Sequence, residues 1–348
     1  MLKFLKDIEK KIKLILLYFG RIIFVRNKFK VSFFTKIKAN LLGGYLADQY
    51  KLYDFKHNDK KEYLSEFDWY RSRYINEPFE FALNNKVIAT EILKQYVKVP
   101  DIYFLKHKGV MTDNEGKLCD YNAILKLFYE EKKMFVKPFL AGKGVGVRQF
   151  ILDNGQINMD GCVIDELEFV EQFRNTDDWM LCESINQADY LNSLYSFTTN
   201  TMRIITLRNT ESKEWEIAFA VQRIGTKDTI PVDNGSRGGL VSKIDLSSGE
   251  LSEGRSLHNL NIYVKHPNSN VQIEGMIIPN WEDIKAEVLN LSYKLPYMNF
   301  IAWDILVTKN GICVIEANSS SGVNIIQLWG GQRYGKLGEF YRAHGAIK

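Results

Sequence analysis

The chain has 348 residues, 45% hydrophobic and 25% charged, with 24 glycines and 7 prolines spread along it. That is the composition of a folded protein of two or three domains with a sizeable core, and it excludes a long disordered tract; no internal repeat or low-complexity segment is present. The net charge of +4 conceals an asymmetry: residues 1–40 hold nine lysines and two arginines against two acids, a net +9, so the remainder carries −5.

In chain order, residues 1–75 read as mostly helical, rich in Lys, Tyr and Phe. Their charge implies an anionic surface as partner. The run Ile12 to Val25 is broken by Lys13, Gly20 and Arg21, too short and too charged to span a bilayer. It suits a helix lying on a membrane, with Leu14, Leu17, Ile22 and Phe24 inserted and cations at the headgroups, or a surface helix packed on the body. No nucleic-acid motif accompanies it, and its apolar spacing is not that of a stacking platform, so no nucleic acid is expected. No secretory signal is read.

Asn76-Glu77-Pro78 marks a break, because a proline pushes the residue before it out of the helical region. A helix is predicted over 80–97 (Phe81, Leu83, Val87, Ile88, Ile92, Leu93), then a strand at 102–105 and a helix at 121–130. From Met134 the texture changes to short strands and glycine turns. Strands are predicted at 134–137, 147–152 and 179–185, and an antiparallel pair at 201–208 and 215–223. An amphipathic helix over 281–291 (Ile284, Val288, Leu291) precedes a hairpin. Strands with helices inserted among them argue for an α+β enzyme. Of the four cysteines, Cys162, Cys182 and Cys313 lie in apolar strand-like surroundings and none forms a CxxC pair with Cys119 or another. Buried, reduced thiols are expected, as in a cytoplasmic protein.

The hairpin carries the clearest chemistry. Trp303-Asp304-Ile305-Leu306-Val307 and Ile312-Cys313-Val314-Ile315-Glu316-Ala317-Asn318 flank Lys309-Asn310-Gly311, and Asn-Gly is a strong turn signal. Glu316 and Asn318, two apart on a strand, face one side, and Asp304 on the neighbouring strand can share it. Three hard oxygen ligands interrupting an apolar pair suit Mg²⁺, which usually completes its shell with substrate phosphates.

Upstream, Lys137-Pro138 closes a strand and Gly142-Lys143-Gly144-Val145-Gly146 follows. Glycines let backbone N–H groups approach a phosphate, and a lysine at a strand end can neutralise it. A second strand follows, so the loop is neither a Walker A nor a Rossmann turn and suits a flap over a nucleotide. Arg203 sits in an otherwise apolar strand, Arg223 ends another, and Arg237 lies in Asp233-Asn234-Gly235-Ser236-Arg237-Gly238-Gly239. Brought to one cleft, they could clamp phosphate. With five histidines and no Gly-x-Ser-x-Gly or His-Glu-x-x-His, serine hydrolase and zinc protease chemistry are disfavoured.

In this order, with Leu181-Cys182-Glu183-Ser184-Ile185 and Asn200-Thr201-Met202-Arg203 between, the motifs resemble the ATP-grasp superfamily. In more detail they resemble its sugar-transfer-associated family, on His266-Pro267-Asn268, Glu274-Gly275 and Ile278-Pro279-Asn280-Trp281. The likeness covers roughly residues 84–345. It implies an ATP-grasp fold, two α+β lobes clasping ATP, with a mainly helical N-terminal extension. The division implied is a basic helical region 1–80, a preceding segment 81–135, and lobes over 136–348, the small one about 136–185 and the large one about 186–348.

The resemblance further implies that Lys86 and Lys137 contact ATP, that Gly142, Lys143, Gly144 and Gly146 fold over its phosphates, and that Glu183 lies at the adenine with Asp189 at the ribose. Arg203, Arg223 and Arg237 would hold phosphates and an acyl phosphate. Asp304, Glu316 and Asn318 would bind two Mg²⁺ ions, and Asn234, Gly238, Gly239 and His266 would line the substrate site. After His-Pro the family usually carries Asp-Thr-Gly where this chain has Asn268-Ser269-Asn270, so the acceptor does not carry over. The implied activity is a carboxylate–amine ligase working through an acyl phosphate in surface-polysaccharide (capsule) biosynthesis, on a sugar or lipid-linked glycan, in the cytoplasm or at the inner membrane face. The alternatives are a kinase phosphorylating a hydroxyl and a non-catalytic ATP-binding module.

Overall fold

The structure is a computed structural model and describes residues 2–139 and 144–348. The N-terminal part is helical. Helix α1 (Leu2–Tyr18) runs into a wider-wound turn, Phe19–Ile23, and α2 (Phe33–Gly43) packs against it. Ile22 and Ala39 are fully buried between them, and Asn40 Nδ2 donates to the Ile22 carbonyl at 2.9 Å. Two short helices follow, α3 (Gln49–Leu52) and α4 (Glu66–Ser72), the second started by a capping box of Ser65 and Asp68.

The single helix predicted over 80–97 is two, α5 (Glu80–Asn84) and α6 (Lys86–Leu93). Asn85 stands between them in extended conformation, its Oδ1 accepting from the Val87 and Ile88 amides at 3.1 and 3.2 Å. Capping chemistry outweighs the hydrophobic period here and puts Lys86 at the first position of a new helix.

Next come β1 (Ile102–His107), β2 (Val110–Asp113), α7 (Tyr121–Glu131), β3 (Lys133–Pro138), β4 (Arg148–Asp153), β5 (Gln156–Met159), β6 (Cys162–Ile164), α8 (Glu166–Arg174) and β7 (Trp179–Glu183). The strands form one seven-stranded antiparallel sheet in the order β2-β1-β7-β3-β4-β5-β6. Phe128 of α7 and Phe169 and Phe173 of α8 pack on Phe150 and Trp179 of the sheet, and all five are buried. The sheet thus takes in residues 102–113, ahead of position 136. Cys162 corrects one expectation: it is exposed, because β6 is an edge strand, whereas Cys182 and Cys313 are buried and all four thiols are free.

Past α9 (Asp189–Tyr195) the second sheet is built from β8 (Met202–Arg208), β9 (Trp215–Ile224), β10 (Leu240–Ile244), β11 (Leu251–Ser256), β12 (Ile262–Tyr263), β13 (Phe300–Thr308) and β14 (Gly311–Asn318). Helix α10 (Trp281–Tyr293) precedes β13 and α11 (Lys336–Ala343) follows β14. The strand order is β12-β11-β10-β9-β8-β13-β14. One core joins Ile204 and Trp303 to Trp281, Ile284, Val288 and Leu291 of α10. A second joins Ile205, Leu207 and Phe300 to Leu64 and to Leu337, Phe340 and Tyr341 of α11. Covered on both faces, β13 is apolar almost throughout, and Asp304 is its one charge. In the hairpin, Thr308 pairs with Gly311, so Lys309 and Asn310 form the turn and Gly311 carries the positive φ of 113°.

Candidate active site

A cavity lies where the two sheets meet. Phe135 and Lys137 of β3 and Glu183 of β7 line it from the first sheet; Arg223 of β9, Asp304 and Leu306 of β13 and Glu316 of β14 line it from the second. Lys86, Thr201, Asp233, Asn234 and Gly144 also line it.

Strand register explains the charged wall. Asp304 is directly opposite Arg203 on one side and Glu316 on the other. Directly opposed residues of antiparallel strands share a face, so a cation and two carboxylates form a row across β8, β13 and β14. The register steps after Asp304, from Glu316 to Val314, leaving Ile315 as the extra residue of a bulge at the cavity edge.

Arg203 grips Asp304 with two bonds, Nε to Oδ1 at 2.5 Å and Nη2 to Oδ2 at 2.7 Å, and Nη1 donates to Ser321 Oγ at 3.3 Å. Arg223 donates to Asp304 Oδ2 at 3.2 Å and pairs with Asp233 at 2.6 Å. Asp233 Oδ2 also accepts from the Thr201 amide and hydroxyl at 2.6 and 2.7 Å. Burial alone would raise the Asp304 pKa, but Arg203 and Arg223 outweigh it and hold the carboxyl below its ordinary value. For Asp233 burial prevails and raises the pKa against the pull of Arg223 and Thr201. Arg223 stays charged: burial opposes its cation, and Asp233 and Asp304 more than compensate. Lys86 reaches Glu316 at 3.4 Å. Glu183 accepts from Lys98 Nζ at 2.6 Å and from the Asp101 amide at 3.2 Å.

Other expected residues stand apart. Arg237 is exposed on the short turn Gly235–Arg237 and does not line the cavity. Asp189 is exposed and pairs with Lys309 at 3.3 Å. His266 is 1% exposed and works as a staple: Nε2 lies 2.8 Å from the Gly225 carbonyl, while Nδ1 accepts from the Ser269 amide at 3.1 Å. Asn318 ends β14 opposite Ala302, beyond the lining residues. Gly144 has φ +65° and no room for a side chain, since a Cβ would meet Val232 Cγ2 at 2.9 Å. Gly146, also at positive φ, lies against Pro138. Gly142 and Lys143 lie outside the described residues. Gly238 and Gly239 follow the turn that Asn234 opens by accepting from the Ser236 amide at 2.9 Å. Asp233, Thr201 and Lys98 carry much of the site's bonding, and along the chain they are marked by little more than the acid just before Asn234-Gly235.

Among the described residues no three His, Cys, Asp or Glu side chains cluster closely enough to hold a metal by themselves. Of the four carboxylates that line the cavity, Asp304 and Glu316 stand opposite each other on β13 and β14, with the Asn318 amide next on the same strand face. This all-oxygen set fits Mg²⁺ that brings nucleotide phosphates as its remaining ligands.

Over residues 67–336 the sequence matches the family described as sugar-transfer associated ATP-grasp. No curated protein matches. Among solved structures, the chain is similar to the ATP-grasp ligase PsnB complexed with minimal precursor, at 14% identity over 78% of this chain and 63% of that one, TM-score 0.38. It is also similar to D-alanine-D-alanine ligase from Helicobacter pylori, at 14% identity over 77% and 62%, TM-score 0.41. D-alanyl-alanine synthetase A from Vibrio cholerae O1 biovar eltor is 12% identical over 76% and 65%, TM-score 0.43. The chain spans less than two thirds of the length of each.

Proposed function

This chain belongs to the sugar-transfer associated ATP-grasp family, and from that premise we propose that it is an ATP- and Mg²⁺-dependent ligase joining a carboxylate to an amine through an acyl phosphate. The observation that carries the reading is the row Arg203–Asp304–Glu316 across three strands, whose two carboxylates line one cavity with Lys86, Lys137 and Arg223 while Arg203 holds Asp304 from beside it. The cavity holds paired opposite charges, and its described lining contains no Cys, Ser or His, which suits phosphoryl transfer by positioning and charge neutralisation.

In the first step a substrate carboxylate oxygen attacks the γ-phosphorus, the bond to the β-phosphate oxygen breaks and ADP leaves. In the second, an amine nitrogen attacks the acyl carbon, phosphate departs with the C–O electron pair, and the nitrogen sheds a proton. Lys137 and Lys86 neutralise the triphosphate, the Gly144–Gly146 turn covers it, and Glu183 with the β7 backbone meets the adenine. Arg203 and Arg223, held in orientation by Asp304 and Asp233, present guanidinium N–H groups to the transferring phosphoryl oxygens. Asp304 and Glu316, with Asn318, would hold Mg²⁺, which supplies neutralisation of phosphate charge; the expected number of ions is two. The family's description supports a sugar or glycan substrate, surface-polysaccharide biosynthesis is the setting proposed for it, and four free thiols suit a reducing, cytoplasmic compartment.

The test is ADP release with Mg-ATP across uronic acids and amino acids, singly and in pairs, with Glu316→Gln as control. Turnover that needs both a carboxylate and an amine and vanishes in the variant is expected. Turnover with a lone hydroxyl compound would make the protein a kinase, and ATP binding without turnover on any pair would make it a binding module.

A further inference from the structure

Helices α1 and α2 leave their apolar sides in solvent. On α1, Phe4, Leu5, Ile8, Ile12, Ile15 and Leu16 are all exposed, at spacings that put them on one helix face. On α2 the same spacing recurs in Phe33, Phe34, Ile37 and Leu41, with the two phenylalanines 72% and 81% exposed. Phe19 and Phe24 stack at 6.4 Å between the two helices, also exposed. In a soluble protein such a face normally turns to the core. Here the other sides already do so: Leu14, Leu17 and Tyr18 of α1 are half-buried, Ile22 of the turn and Ala39 of α2 are fully buried, and the Tyr18 hydroxyl donates to the Asn40 carbonyl. The docked faces and the exposed ones are therefore distinct.

We propose that this exposed face docks on the anionic surface of a phospholipid bilayer, α1 and α2 lying in the headgroup plane. The charge selects the occupant. The segment 1–40 carries a net +9, so a second copy would set like charge against like. A nucleic acid would take up the cations but leave the aliphatic row of Leu5, Ile8, Ile12, Ile15, Leu16, Ile37 and Leu41 in water, since such side chains neither stack on bases nor neutralise phosphates. A bilayer takes both parts, the apolar row entering the acyl boundary while lysine stems reach back to lipid phosphates. No helix among the described residues is long and apolar enough to cross a membrane. The inference is independent of the catalytic reading, and its test measures no turnover.

The full chain is sedimented with vesicles of phosphatidylcholine alone, and of phosphatidylcholine with phosphatidylglycerol in equal parts, at low and high salt. Two variants accompany it, Ile12→Gln with Leu16→Gln and Lys6→Glu with Lys11→Glu, both on exposed positions, and their circular dichroism and melting should match the native chain. Binding to the mixed vesicles that weakens with salt is expected, falling about tenfold or more in either variant. Three results would overturn the proposal: no binding by the native chain, equal binding by native chain and variants, or a native dimer that the Gln variant dissociates without changing vesicle binding.

Discussion

Arg203 and Asp304, directly opposed on β8 and β13, form a two-bonded pair at 2.5 and 2.7 Å, and Arg223 binds the same carboxylate at 3.2 Å. Asp233 completes a chain of alternating charge, pairing with Arg223 at 2.6 Å. Two buried carboxylates balance two guanidiniums, so each charge is compensated although all four are largely shielded from water. The arrangement also fixes where the guanidinium N–H groups point before any substrate arrives, which is the condition for electrostatic preorganisation.

Replacing Asp304 by Asn keeps the shape and removes one charge from that balance. Arg203 and Arg223 are then left with Asp233 as the remaining anion of the chain. Unfolding in urea should show a loss of about 3 kcal/mol, and ADP release should fall about 100-fold or more. An unchanged urea midpoint would mean that the pairs contribute nothing net.

Lys98 tethers the Glu183 carboxylate at 2.6 Å, and its side chain is 48% exposed. An exposed pair of this kind contributes less than about 1 kcal/mol to stability. Its effect should lie on the carboxylate it orients. Lys98→Ala should leave the melting temperature nearly unchanged and raise KM for ATP several-fold, with kcat near native. A lowered melting temperature with native KM would instead make Lys98 a structural residue.

Most of the large-scale pattern is legible in the residues, because long apolar periods and glycine turns report local structure directly. Helix 281–291 appears as Trp281–Tyr293, and strands 201–208 and 215–223 as Met202–Arg208 and Trp215–Ile224. Short strands such as Gln156–Met159 and the edge strand Ile262–Tyr263 escape notice, since four residues or fewer carry no period. The site divides the same way. Asp304 and Glu316 are readable as facing residues because alternation along a strand is strict, and register sets them opposite each other. Asp233 is hidden because its partners, Thr201 and Arg223, are brought to it by strand pairing across the sheet. Spacing along the chain says nothing of that.

Gly239 is constrained by packing. A Cβ there would lie 2.7 Å from the Asp233 carbonyl oxygen and 2.9 Å from the Asn234 carbonyl carbon, both backbone atoms that cannot yield cheaply. Gly239→Ala should therefore push the 233–239 turn away and loosen Asp233 from Arg223. The expected cost is about 1–3 kcal/mol, with a fall in kcat alongside it. Native stability and turnover in this variant would show that the turn can shift without disturbing the charge chain.

His266 makes stability depend on pH in a definite direction. Burial lowers its pKa below 6.5, partly offset by the bond to the Gly225 carbonyl. Nδ1, accepting from the Ser269 amide at 3.1 Å, has no place for a proton. The unfolded chain therefore takes up this proton at a higher pH than the folded one. Stability from this group is complete above the unfolded pKa of 6.5 and is lost as pH falls through the folded pKa, with a slope of at most about 1.4 kcal/mol per pH unit. Asp233, its pKa raised by burial, acts with the opposite sign and above 3.8, so the histidine is isolated only by difference. His266→Gln can still offer an amide proton to Gly225 and has nothing to titrate. Urea midpoints at about pH 7.5 and about pH 5.5 should fall with acidification in the native chain and fall less in the variant. Parallel falls in the two proteins would assign the acid sensitivity to other groups.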